Sequence, residues 1–261
     1  QPDAIPLRQE YAGVLIKAGQ YEEAKTVLAT APAGDIECRK MLIASYLLQG
    51  RRYATDESLP EGIRKEKATA EYNLADAEVD KLKNYAESKA DSFLADSAEK
   101  MRADVYMAKE SYKNAQELID KMVRLAGGDP SQVDPDLYRR LAQAQMGNKD
   151  MVGALAGFTT LLERKDIPPT VRLDAIKGFL DASSDEVAVP VLTDKQKLIV
   201  FSIYEEWKDK PIDDAVYLAR LGWVLQRTKE FDKATKILEL AKDKQPKNIE
   251  IRKQYANILL A

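Results

Sequence analysis

Trp223 and Arg227 stand one helical turn apart in the string LGWVLQR, and Trp and Arg are the side chains most enriched where one protein grips another. Such a pair suits binding chemistry, and a large aromatic such as Trp223 equally suits packing against the next unit of the chain. Residue types that would argue for catalysis are sparse. The chain has no histidine, which removes histidine general bases, nucleophile–histidine triads and the common zinc sites together. No glycine-rich phosphate-binding string and no GxSxG string occurs. Asp and Glu number 43, so a carboxylate pair stays open, but neighbours such as Glu230 and Lys233 are spaced like a solvated helix face. The single cysteine, Cys38, lies beside Met41 and Leu42 and reads as packing. It can form no internal disulfide, and by itself it does not distinguish one compartment from another. No catalytic residue, metal ligand or cofactor is expected.

Charge narrows the partner. Lys and Arg number 40, leaving a net of −3, whereas a nucleic-acid surface needs a strong basic excess. No nucleic-acid partner is expected. At 261 residues the chain can bury a substantial core. Its 12 Gly and 11 Pro are too few for a loop-rich β protein, and no run of alternating strands appears, so the class is all-α. No stretch reaches the ~18 consecutive apolar residues of a membrane span, and no basic-then-apolar leader opens the chain. It begins at Gln1 and stops at Ala261 within a helical periodicity. We therefore expect a piece of a longer polypeptide, with compartment and oligomeric state unassigned.

The elements that must position Trp223 and Arg227 lie in AVYLARLGWVLQRTKEFDKATKILELAKDKQP, Ala215 to Pro246. Leu218, Leu221, Gly222 and Leu225 recur at i, i+3, i+4 and i+7, one face of a helix. Ala234, Leu238 and Ala241 form the stripe of a second helix, which Pro246 ends. Gly222 and Ala234 are short where two helices must come close. This pattern resembles the tetratricopeptide repeat, a unit of about 34 residues patterned W-x2-L-G-x2-Y, A-x3-F, P. Leu218, Leu221, Gly222, Leu225, Ala234, Leu238 and Pro246 fill its slots, with Leu in place of the aromatics.

Weaker copies fill most of the chain, and the units are read as 5–34, 36–92, 96–128, 135–168, 171–209, 215–248 and a truncated 249–261. In the first, Tyr11, Ala12, Leu15, Ala24 and Leu28 match, and KAGQYEEA puts Gly19 at the helix C-terminus. The second departs: a helix from Ile36 to Gln49 with Gly50 as its cap, the turn-rich RRYATDESLPEG, then about 30 residues without Gly or Pro, roughly 45 Å of helix. Its seam of Tyr72, Ala75, Val79, Leu82 and Ala86 fits a long helix packed on its neighbours, an arm that meets a partner, or a broken pair of helices. Gly127–Gly128 ends the third unit. Asp134 and Pro135 start the fourth, with Tyr138, Leu141, Ala142, Ala154, Phe158 and Leu161 in its slots. The fifth is degenerate: a helix over 171–180, an extended loop SSDEVAVPVLTD, and a helix opened by a Thr193–Gln196 capping box.

The resemblance implies a right-handed α-solenoid of antiparallel helix pairs running through 1–261 as one domain. It also implies a second stripe on each first helix, about 130° from the core stripe, that faces a concave groove. Those residues are Lys100, Asp104 and Met107; Arg139, Gln143 and Met146; Ala219, Trp223, Gln226 and Arg227; and Lys253 and Asn257. Gln9 and Gly13 do not fit the Lys–Asn pair with which chaperone-adaptor repeats hold a terminal carboxylate. The function so implied is a non-enzymatic scaffold binding a protein or peptide in the groove. Two alternatives stay open: a structural spacer or assembly segment, as in bacterial envelope or polysaccharide-export proteins, and an all-α enzyme.

Overall fold

The computed structural model describes residues 5–32, 34–127, 133–164, 166–182 and 192–260. Among them every regular element is a helix, thirteen in all, with no strand. The chain divides into two compact units, Gln1–Lys121 and Met122–Ala261.

The first unit holds α1 (Ile5–Lys17), α2 (Tyr21–Ala29), α3 (Ile36–Thr55), α4 (Glu61–Ser88), α5 (Ser92–Ala108) and most of α6 (Tyr112–Leu125). Each of α1 to α4 packs on the next, and α3 also touches α1 and α5. One apolar cluster gathers Ala12, Leu28, Cys38 and Leu42. A larger one runs along α4, where the seam of Tyr72, Ala75, Val79, Leu82 and Ala86 is buried against α3 and α5. The long helix is therefore packed on its own neighbours. Ion pairs tie both its edges. Lys25 of α2 reaches both oxygens of Glu71 at 2.9 Å, and Arg102 of α5 bridges Asp76 and Asp80.

The second unit holds α7 (Pro135–Gly147), α8 (Met151–Glu163), α9 (Pro169–Ala182), α10 (Asp194–Asp209), α11 (Ala215–Arg227), α12 (Phe231–Lys244) and α13 (Ile249–Leu259). Consecutive helices again pack together, and α9 touches both α7 and α11, as α11 touches α13. The six slot residues from Tyr138 to Leu161 are buried. Both hydrogen bonds of the Thr193–Gln196 capping box are made, at 3.3 and 2.9 Å. The loop expected over 183–192 lies, save Leu192, outside the described residues, as does Gly128.

One reversal recurs. Between helices the chain turns on a single residue at positive φ: Gly19 (74°), Ala90 (52°), Glu110 (56°), Lys149 (65°) and Lys229 (64°). In each case the following N–H donates to the carbonyl five residues back, as Gln20 to Leu15 (2.9 Å), Asp150 to Gln145 (2.8 Å) and Glu230 to Leu225 (2.9 Å). This is the Schellman closure, which satisfies the last helical carbonyls and starts the next helix at once. Asp91 and Asp150 extend it, because each side chain caps the new helix by accepting from Leu94 N or Gly153 N, both at 2.9 Å.

Gly50 corrects the sequence reading. It caps nothing, since α3 runs through it to Thr55. Its hydrogen faces the Tyr72 ring of α4, which fills the space a Cβ would need. The glycine is there for close approach, and the chain leaves the helix at Asp56, whose carboxylate accepts from Ser58 N at 3.1 Å. Gly222 works the same way: an added Cβ would lie 2.5 Å from Leu238 Cγ, and Leu238 is fully buried.

Two exchanges should therefore move stability in opposite directions, the first against the usual helix propensity and the second with the usual preference for glycine at a left-handed helix end. Gly222→Ala, mid-helix, should destabilise by about 1–3 kcal/mol through overpacking. Lys229→Gly, which relieves a left-handed non-glycine residue, should stabilise by roughly 1 kcal/mol. Urea midpoints at constant slope measure both. A more stable Gly222→Ala variant would remove the close-approach account.

Candidate functional site

The second unit contains a cavity of about 390 Å³ between α7, α9 and α11. Local structure explains its lining. Asp134 caps α7 by accepting from Asp136 N at 3.0 Å, which sets Asp136, Arg139, Gln143 and Met146 on one face. The same spacing recurs on α9 as Val171, Asp174, Gly178 and Asp181, with Lys177 beside them. Asp214 caps α11 through Val216 N (2.8 Å) and Tyr217 N (3.4 Å), and Tyr217 and Arg220 complete the wall. Gly178 lets the Phe158 ring of α8 press against α9 from behind.

Polar groups in this wall are largely matched to one another. Arg139 donates to Asp136 through Nε (2.9 Å) and Nη2 (2.5 Å), and to Gln143 Oε1 at 3.0 Å. Arg140 takes the other Asp136 oxygen at 2.6 Å. Lys177 pairs with Asp181 at 2.5 Å, and Arg220 pairs with Asp174. Burial would raise the Asp136 carboxyl, but Arg140 and Arg139 hold it below the ordinary aspartate range. Burial and the nearby Asp174 carboxylate push the Tyr217 hydroxyl up, so it is a proton donor at neutral pH. The Arg220 guanidinium lies 4.8 Å from the Tyr217 ring centre.

The residues assigned to a groove in sequence fall in different places. Arg139, Gln143 and Met146 come together in this cavity. Trp223 is half-buried at its margin, its ring covered by Lys177 Nζ at 4.8 Å and the Arg227 guanidinium at 5.4 Å. Gln226 is half-buried and Arg227 exposed. Ala219 does not face a groove; it is buried in the core beside Leu218, because the cavity wall on α11 runs through Tyr217 and Arg220 instead. Lys253 and Asn257 are exposed on α13, and Lys253 pairs with Glu250 at 3.1 Å. Lys100, Asp104 and Met107 belong to α5 in the first unit, half-buried, with both charged groups engaged.

Asp174, Lys177 and Asp181 were missed because the fifth unit matched the repeat pattern too weakly for a stripe to be projected on it. The signal was available: shifting the α7 spacing onto α9 finds Val171, Asp174, Gly178 and Asp181. Asp136 was one turn before the projected stripe.

In the first unit a smaller cavity of about 230 Å³ opens where α2, α3 and α4 meet, lined among others by Asp35, Arg39, Tyr46 and Glu78. Beneath it, burial and the Asp35 carboxylate push the Cys38 thiol up to about 11, so the thiolate is absent at neutral pH. Among the described residues no group of three or more His, Cys, Asp or Glu could hold a metal ion, and no helix is long and apolar enough to cross a membrane.

No protein-family model matches the chain, and no curated protein matches it.

Two measurements check these electrostatics. Because Asp136 titrates below its unfolded value, its contribution is complete above the unfolded pKa and disappears as pH falls through the folded one. Asp136→Asn should cost stability at pH ~7 and progressively less below pH ~4; a cost independent of pH would reject the pairing. Cys38 should resist a thiol reagent in the native protein and react in urea, and rapid native labelling would contradict its burial.

Proposed function

We propose that this chain is a tetratricopeptide-like repeat scaffold, a right-handed α-solenoid of antiparallel helix pairs. It binds a protein or peptide partner in a groove and carries out no catalysis. The observation that carries this reading is the α7–α9–α11 cavity, because Arg139, Gln143 and Met146 were assigned to a groove from repeat register alone and share that cavity. The touching of α1, α3 and α5, and of α7, α9, α11 and α13, is what stacked first helices would produce. A wall that mixes ion pairs, a tyrosine, a methionine and a marginal tryptophan suits an adaptable protein contact better than a tight small-molecule site.

A photo-crosslinking residue at Met146 should trap a partner in the native host, whereas the same residue at Val152, which is 82% exposed on α8, should not. Trp223→Ala should weaken that partner's binding about tenfold or more, with the helical signal and the cooperative urea transition retained. Equal trapping at both positions, or loss of fold and binding together, would defeat the groove assignment.

A further inference from the structure

The cavity's unspent hydrogen-bonding capacity has a direction. Asp136 has both oxygens occupied by arginines, Asp174 is taken by Arg220, and Asp181 by Lys177. Every carboxylate in the wall is therefore already matched by a cation. The donors are not exhausted. Arg220 uses one guanidinium nitrogen on Asp174 and has no other acceptor among the described residues. The Tyr217 hydroxyl and the Gln143 amide nitrogen likewise have no protein acceptor there, although both side chains line the space. Within the wall three cations, Arg139, Lys177 and Arg220, match three carboxylates, Asp136, Asp174 and Asp181. Beside it Arg227 forms no ion pair among the described residues and lies over Trp223. The wall therefore offers an incoming group open donors rather than open acceptors.

We propose that the cavity takes an acidic segment of a partner protein, its carboxylates seated on Arg220, Tyr217 and Gln143 and its apolar side chains against Met146 and the edge of Trp223. The inference rests on the groove reading and specifies its ligand. A guanidinium with open donors is the group best shaped for a carboxylate. Asp174 acts as a resident counter-ion that holds Arg220 in place until the partner arrives, which gives an unusual sign to one substitution. Removing the arginine weakens binding, but neutralising its own aspartate frees it.

The test uses fluorescence anisotropy of the whole chain with three labelled peptides of equal length, alternating Phe with Glu, Gln or Lys. The Glu peptide should bind most tightly, lose affinity between about 50 and 300 mM salt, and ignore excess polyuridylate. Arg220→Gln should weaken it about tenfold, Tyr217→Phe should weaken it less, and Asp174→Asn should tighten it roughly threefold. A general loss of folding would weaken binding in both Arg220→Gln and Asp174→Asn, so the opposite signs separate recognition from stability. Equal binding of all three peptides, preference for the Lys peptide, competition by polyuridylate, or weakening by Asp174→Asn would each overturn the acidic ligand. The groove reading fails separately if a random-peptide library selected on the protein yields only sequences indifferent to Arg220→Gln and to Met146→Ala.

Discussion

The single left-handed residue between paired helices is the constraint on which the rest of this structure depends. A Schellman closure at Gly19, Ala90, Glu110, Lys149 or Lys229 ends one helix and begins the next within three residues. A connection so short leaves the second helix no course except back along the first. Four of those residues carry side chains, at a strain of about 1–2 kcal/mol each. The strain persists because the closure satisfies carbonyls that would otherwise be orphaned, and because the packed helix pair holds the turn in place.

At three helix pairs, of which α11–α12 also has such a turn, close approach rests on a missing side chain. Gly50 admits the Tyr72 ring, Gly178 the Phe158 ring and Gly222 the branched end of Leu238. Each is a large buried side chain set into the space of an absent Cβ, and each joins one helix to its sequence neighbour. Where a helix is too long for one such contact, ion pairs take over. The long α4 is held along one edge by Lys25–Glu71 and Arg39–Glu78 (3.8 Å), and along the other by Arg102 and Lys109 on Asp76. Their half-buried setting makes loss of one partner more damaging than the pair is stabilising, so they fix position more than they add stability.

Much of this was legible in sequence, for physical reasons that also mark its limits. Apolar periodicity located the helices because burial follows the 3.6-residue turn regardless of detail, as the fully buried Leu218, Leu221 and Leu225 show. The Thr193–Gln196 box was legible because its chemistry is local. Gly50 was misread because a glycine near a helix end and a glycine facing a ring look alike until the ring's position is known. The turns at Ala90, Glu110, Lys149 and Lys229 were illegible as left-handed positions, since no glycine announces them. The cavity was half legible: register placed Arg139, Gln143 and Met146, but Asp174, Lys177 and Arg220 acquire meaning only through partners on other helices.

Those partners explain why the candidate site looks, in one dimension, like ordinary surface. Asp174 and Arg220 lie far apart in sequence and would each be read as a solvated charge on an amphipathic helix. Brought together between α9 and α11, they form a half-buried pair with the arginine's remaining donors turned to no protein acceptor among the described residues. A matched pair of this kind contributes little net stability, yet it holds the Arg220 guanidinium in one place and partly out of water. That placement follows from the packing of α9 against α11 and not from anything local to either helix.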